Sequence, residues 1–128
     1  MMASWVQQCA FEPPAVSVAL GKGRPVGELI RASRMFALSI VGEDDTSLMK
    51  RYARGVKPGE DAFADVETLT TPAGIPALKA AVAWLECRVL STCDFGGDHE
   101  LLIAEVTAGQ ILRPGAAFTH QRGSGFHY

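Results

Sequence analysis

Alternating hydrophobic and polar positions predict two β-strands in the first third of the chain. Across residues 14–20, Val16, Val18 and Leu20 alternate with smaller side chains after a pair of prolines. A second apolar run covers residues 35–41 and ends at a glycine. Alternation with a period of two is typical of strands that bury one face. We therefore predict strands over both segments.

Two short helices are predicted to follow these strands. Residues 26–34 come directly after a proline, which suits the first turn of a helix, and place Leu29 and Ile30 on one side. The arginines of this segment lie on the other side, so we expect the aliphatic side chains to be buried. A second helix is predicted after a hydroxyl cap at position 46 or 47, and it ends before Gly55.

Residues 80–92 satisfy the sequence rules for both a helix and a strand. Their alanine, leucine and glutamate content favours a helix. Strand alternation also works, with Leu85, Cys87 and Val89 on one face. A glycine-containing turn follows, and it leads into the apolar run at residues 101–106. Because a β-hairpin uses both runs and the turn between them, we predict two antiparallel strands.

The stretch at residues 2–14 differs from the rest of the chain because it follows neither period. Small and polar side chains surround Trp5, and two prolines end the stretch. We interpret it as a loop that presents backbone groups, beside an aromatic ring suited to a flat, conjugated ligand. The alternative is a frayed N-terminus with one core tryptophan.

A glycine-rich turn with two cations precedes the first predicted helix. It consists of Gly21, Lys22, Gly23 and Arg24, followed by Pro25. Free amides at a helix N-terminus, the helix dipole and the two cations together favour a bound phosphate. The alternative is a solvated surface turn. The turn lacks the residue spacing of a P-loop.

Composition and charge narrow the range of functions. A chain of 128 residues with 48% hydrophobic residues fits one globular domain. The formal net charge of −2 argues against general nucleic-acid binding. No apolar run approaches the ~20 residues that span a bilayer, and no secretion signal is present. Because Cys9, Cys87 and Cys93 form no CxxC pair, we expect free thiols in the cytoplasm and no metal site.

The last eleven residues carry aromatic and cationic side chains around two glycines. We interpret this tail as a flexible arm that contacts a ligand or a neighbouring subunit, and the alternative is a mobile terminus. The side chains concerned are His120, Arg122, Phe126, His127 and Tyr128.

The order and spacing of five motifs give the chain a family resemblance. It is similar to the flavin reductase-like domain, the FMN-binding split barrel, and most of all to the C-terminal flavin reductase domain of diflavin flavoproteins. The resemblance runs essentially the whole length of the chain. The motifs are MASWVQQ with FEPP, SLMKRYARGVKPGEDAFADV, AVAWLECRVLS, GDH and the final GFHY.

The resemblance implies a fold and an assembly. Members of this family form a six-stranded antiparallel barrel with short helices, usually as a homodimer with flavin near the subunit interface. Family domains carry a further strand before the MASWV-like stretch. Because this sequence starts at that stretch, we expect it to lack the first strand of the family.

The resemblance also implies the cofactors and the residues that contact them. It predicts FMN, with FAD as the second option, and NAD(P)H as the reductant. Backbone amides in the opening stretch would face the isoalloxazine ring, the cationic turn would receive the phosphate, and His99 would lie near the nicotinamide as the candidate catalytic residue. The implied cofactor-binding residues are Ala3, Ser4, Trp5, Val6, Gln7, Gln8, Lys22, Gly23, Arg24 and Phe126.

Three functional hypotheses follow. The first is an NAD(P)H-dependent flavin reductase that transfers a hydride from the nicotinamide to flavin N5, a reaction in which the two cofactors supply the chemistry. The second is a non-enzymatic FMN-binding electron-transfer module. The third is a degenerate barrel that serves as an assembly partner. The sequence contains no Rossmann fingerprint, so it does not select NADH or NADPH.

Overall fold

Five antiparallel strands form the main sheet of the computed structural model, which describes residues 1–57 and 59–119. The sheet order is β1-β2-β7-β6-β3, and β4 and β5 form a separate two-stranded ribbon. In chain order the elements are β1 (Val6–Phe11), β2 (Pro14–Gly21), α1 (Pro25–Ser33), β3 (Met35–Ile40), α2 (Thr46–Ala53), β4 (Thr68–Thr70), β5 (Pro76–Leu78), β6 (Ala83–Cys93) and β7 (His99–Ile111).

The predicted strands and helices are confirmed in type, but β7 continues to Ile111, beyond the predicted run at residues 101–106. The predicted hydroxyl cap of the second helix is wrong, because the carboxylate of Asp45 accepts a hydrogen bond from the amide of Leu48 and caps α2. β2 and β3 cover the two alternating runs, and β6 and β7 form the predicted antiparallel hairpin. β6 is a strand despite its helix propensity because it pairs with β3 on one side and β7 on the other. Contacts to two neighbouring strands outweigh a weak local preference.

The prediction that the opening stretch is a loop is wrong for residues 6–11. These residues form β1, which pairs with β2 in the register Val6 opposite Val18 and Gln7 opposite Ser17. β1 lies at the edge of the sheet, and its side chains are exposed except for the partly buried Ala10. A strand that buries neither face needs no hydrophobic alternation, so the sequence pattern could not reveal it.

The prediction that Leu29 is buried is also wrong. Leu29 is 69% exposed, whereas Ile30 and Gly27 face the sheet. Arg31, which we expected on the exposed side, donates to the buried Glu100 across 2.6 Å. Positions three residues apart share a helix face, so Gly27 and Ile30 form the packed side of α1, whereas Arg31 is exposed as predicted and reaches Glu100 through its guanidinium group.

Two hydrophobic clusters stabilise the fold, and the residues before β1 contact both. The first cluster lies between α1 and one face of the main sheet, and Ala3 packs against it. The second joins α2 to β5, and Met2 packs against it. Adjacent side chains therefore anchor the chain immediately before Trp5.

All three cysteines are free thiols, as expected from their spacing. Cys87 is fully buried in the first cluster, and burial raises the pKa of its thiol to about 12. Cys9 and Cys93 are exposed. Of the helices in the described part of the chain, none has the length and apolar character needed to cross a membrane.

Glu86 is a buried carboxylate that fastens the β4–β5 turn to the main sheet. It accepts hydrogen bonds from the amide of Ala73 at 2.7 Å and from the hydroxyl of Thr107 at 3.0 Å. The hydroxyl of Thr71 has the largest effect on its pKa, and these donors together hold that pKa below the ordinary glutamate value. The ionised form is therefore favoured in the folded protein.

This ionised carboxylate predicts a specific loss of stability in acid. Because folding lowers the pKa of Glu86, its contribution is complete above the ordinary glutamate pKa of 4.5 and is lost as pH falls through the lower folded pKa. We expect Glu86→Gln to reduce the free energy of unfolding by about 1–3 kcal/mol at neutral pH and to weaken its acid dependence. Urea unfolding at a series of pH values measures both effects.

The matched control is Glu12→Gln, which removes an exposed carboxylate between β1 and β2. This variant shows whether the loss of one negative charge accounts for the change. An acid dependence that is identical in wild type and Glu86→Gln would contradict the assigned role.

Candidate functional site

Antiparallel pairing brings Trp5 and His99 together on one face of the main sheet. The amide of Ala19 donates to the carbonyl of Trp5 at 3.0 Å, and Gly21 lies opposite His99 in the β2–β7 register. The centroids of the indole and imidazole rings are 5.0 Å apart, with 50° between the ring planes. Trp5 is 42% exposed.

Arg24 and His99 both approach Gly21. A Cβ atom built on Gly21 would stand 3.6 Å from Nε2 of His99 and 3.7 Å from Nε of Arg24. The two side chains therefore flank Gly21. The opening stretch, the cationic turn and His99, which are far apart in the sequence, meet on one side of the molecule.

The cationic turn has the geometry of an anion site at the start of α1. Arg24 is the N-cap residue and Pro25 follows it, but no side chain caps the helix. Gly23 has a φ of +74°, a conformation that favours glycine. Within residues 1–57 and 59–119, Arg24 has no carboxylate partner. An unpaired guanidinium beside an uncapped helix N-terminus favours a bound anion.

Lys22 is engaged differently from Arg24, although both belong to the same turn. Its ammonium group lies 2.6 Å from Oδ1 of Asp94, and its amide donates to the carbonyl of Asp98 at 2.9 Å. Both acceptors belong to the turn between β6 and β7. Sequence reasoning did not identify Asp94, because only the fold shows that these two turns are adjacent.

His99 is the first residue of β7 and is fixed by its neighbour. Nδ1 of His99 lies 3.0 Å from Oδ1 of Asp98, and this contact holds the pKa of Asp98 below its ordinary value. With Nδ1 directed at the carboxylate, Nε2 is the nitrogen beside Gly21 and Arg24. The side chain of Asp98 is 93% exposed, so we expect its contact with His99 to orient the imidazole ring more than it stabilises the fold.

The edge strand β1 presents backbone donors next to this face. In an antiparallel ladder, hydrogen-bonded and non-hydrogen-bonded pairs alternate. Trp5 and Ala19 form a hydrogen-bonded pair, so the amides of Val6 and Gln8 point away from β2 toward the open edge. Ala3 differs from the other predicted residues, because its side chain packs against the hydrophobic cluster. Ser4 is exposed.

The predicted contact from Phe126, and the rest of the arm at residues 120–128, lie outside the described residues.

A cavity of about 480 Å³ lies elsewhere, beside α2, and contains none of the predicted site residues. Four of its five charged side chains, all but Asp65, make structural contacts. Asp45 caps α2, Lys79 pairs with Glu67 at 3.2 Å, and Arg51 donates to the carbonyl of Ala64. The open face around Trp5 and His99 is therefore the stronger candidate site.

Comparison with known proteins identifies the family to which the chain belongs. The model of the flavin reductase like domain matches residues 1–125. The chain is 38% identical over 130 residues to diflavin flavoprotein A 1 of Synechocystis sp., covering 100% of this chain and 22% of that protein. It spans about a fifth of the length of the curated relatives that it matches.

Solved structures of flavin reductases share the fold. The NADH:FAD oxidoreductase SgcE6 of Streptomyces globisporus C-1027 superposes with a TM-score of 0.80 at 28% identity, covering 87% of this chain and 66% of that one. Flavin reductase PheA2 gives a TM-score of 0.69 at 28% identity, covering 83% and 65%. The predicted mainly β, split-barrel fold class is confirmed. The chain belongs to the flavin reductase-like domain family.

Proposed function

We propose that this domain is an NAD(P)H-dependent flavin reductase that binds FMN. The observation that carries the proposal is that His99 contacts Trp5 and flanks Gly21 together with Arg24, which has no carboxylate partner among the described residues. An aromatic ring, a cation at a helix N-terminus and outward-facing amides form a donor set that suits a phosphorylated, conjugated ring system.

The donor groups suit two parts of a flavin, the isoalloxazine ring and the phosphate. The amides of Val6 and Gln8 would face the polar edge of the isoalloxazine ring, and Trp5 offers an apolar surface beside it. Ser4 and Gln7 are exposed in the same stretch, and we propose that Ala3, which is partly buried, contributes through its backbone. Gly23 and Arg24, with the start of α1, would hold the phosphate. Bound flavin supplies the electron-accepting centre for a hydride from NAD(P)H.

The residues of this chain contribute orientation and electrostatics. Oriented amide donors stabilise negative charge on the reduced isoalloxazine ring. A rigid binding site limits the geometries in which the flavin and nicotinamide rings meet. His99 acts in this proposal as a positioning or proton-exchange residue near the nicotinamide. Its ring is already oriented by Asp98 and packed beside Trp5.

We further propose FMN as the first ligand and FAD as the second. SgcE6, to which the chain is similar, has been solved in complex with NAD and FAD fragments. We also propose a homodimer in which a second copy covers the half-exposed sheet face bearing Ala19, Leu101 and Ile103, with flavin near that interface. The free thiols suit a cytoplasmic location.

Anaerobic reduction is the direct test of the proposed reaction. We expect the protein to bind FMN and the yellow absorbance of the complex to bleach on addition of NADH or NADPH, faster than in an equal mixture of free FMN and nucleotide. Bleaching by dithionite alone would select the electron-transfer module instead. A protein that binds no flavin would contradict the proposal.

Substitution of Arg24 tests the phosphate site. Because riboflavin lacks the phosphate, we expect Arg24→Ala to weaken FMN binding roughly tenfold or more and to leave riboflavin binding almost unchanged. Titration calorimetry with both ligands gives the two dissociation constants. The control, Arg54→Ala, removes an arginine at the end of α2, which packs in the second hydrophobic cluster, and should affect neither ligand. An equal loss for both ligands in Arg24→Ala would show that the phosphate binds elsewhere.

A further inference from the structure

Lys22 connects the turn before α1 to the turn before β7. Its ammonium group contacts Oδ1 of Asp94 at 2.6 Å, and its amide donates to the carbonyl of Asp98 at 2.9 Å. One residue thus holds the second turn through both its side chain and its backbone. Neither contact is available to Arg24.

Asp94 and Asp98, the two residues that Lys22 contacts, each make a further contact within the turn that precedes His99. Oδ1 of Asp94 also accepts the amide of Gly96 at 2.8 Å, which fixes a residue with a φ of +84°. The carboxylate of Asp98 contacts Nδ1 of His99 at 3.0 Å. The conformation of the turn, and with it the direction of the imidazole, therefore depends on contacts that begin at Lys22.

The same contacts make Lys22 a poor phosphate ligand. Its charge is already balanced by Asp94, and the ion pair lowers the pKa of that carboxyl. A phosphate that approached the ammonium group would also meet the carboxylate, and like charges at short range repel. Arg24 has no such competitor among the described residues.

We propose that Lys22 is a positioning residue that holds the β6–β7 turn, and thereby His99, against β2, and that Arg24 alone of the two cations binds the flavin phosphate. The inference rests on the proposed function for the role of His99 and for the flavin phosphate. One cation of the turn thus has a structural role, and the other contacts the ligand.

Ligand affinities and turnover test these two roles. In Lys22→Met we expect the ratio of FMN to riboflavin affinity to stay close to that of wild type, whereas Arg24→Ala lowers it roughly tenfold. The Lys22–Asp94 pair is partly exposed, so we expect turnover at saturating flavin and NAD(P)H to fall only about two- to fivefold. Asp94→Asn should cause the same fall, the double variant no further fall, and Lys22→Arg little change.

A second measurement tests, without flavin, whether the contact between Lys22 and Asp94 positions His99. We expect Lys22→Met and Asp94→Asn to shift the imidazole nitrogen resonances of His99 in the same direction in heteronuclear NMR spectra. The control is Lys79→Met, which breaks a surface ion pair with Glu67 in the β4–β5 ribbon and should leave them unchanged.

The outcomes separate the two proposals. A wild-type protein that binds no flavin would end the proposed function, while the NMR comparison would still decide whether Lys22 positions His99. The inference is overturned if the resonances of His99 are the same in Lys22→Met and wild type, or if Lys22→Met lowers the FMN-to-riboflavin ratio as strongly as Arg24→Ala.

Discussion

The antiparallel pairing of β2 with β7 is the constraint on which the described part of the candidate site depends. Its register sets Gly21 opposite His99, and the pairing of β1 with β2 then sets Trp5 on the same face. A shift of one residue would turn these side chains to the opposite face of the sheet. The buried residues Val18 and Leu20, which alternate with the site positions along β2, resist such a shift because they fill the core under α1.

The charged side chains near α1 and the cationic turn fall into two groups, those with an oppositely charged partner and those without one among the described residues. Lys22 and Asp94 balance each other, and Arg31 balances the buried Glu100 beneath α1. These pairs join neighbouring elements. Arg24 has no carboxylate partner among the described residues, and it lies where a helix begins without a side-chain cap. An anion bound there would therefore gain a new favourable contact without breaking an existing ion pair.

The sequence predicts those parts of the fold in which burial and pattern agree. The alternation in β2 and the apolar runs of β3, β6 and β7 reflect faces that pack on a core. β1 was not predicted as a strand because an exposed edge strand carries no such pattern, and Leu29 was misassigned because α1 packs through Gly27 and Ile30. A glycine on a packed helix face gives no hydrophobic signal.

The candidate site, like the fold, was predictable from the sequence only in part. Trp5 and Arg24 stood out from their surroundings in the sequence, and His99 was identified by family resemblance. Their proximity depends on strand register, which no local pattern shows. The role of Asp94 depends on the meeting of two turns, so only the three-dimensional contacts identify it.

The central claim is that flavin binds on the sheet face formed by Trp5, Gly21, Arg24 and His99. Titration of the isotope-labelled protein with FMN, followed by amide chemical shifts, tests it most directly. The account predicts that the largest shifts occur at Val6, Gln8, residues 21–24 and His99, together with the indole of Trp5. Shifts confined to Leu48, Val66 and Ala80, which line the cavity beside α2, would contradict it.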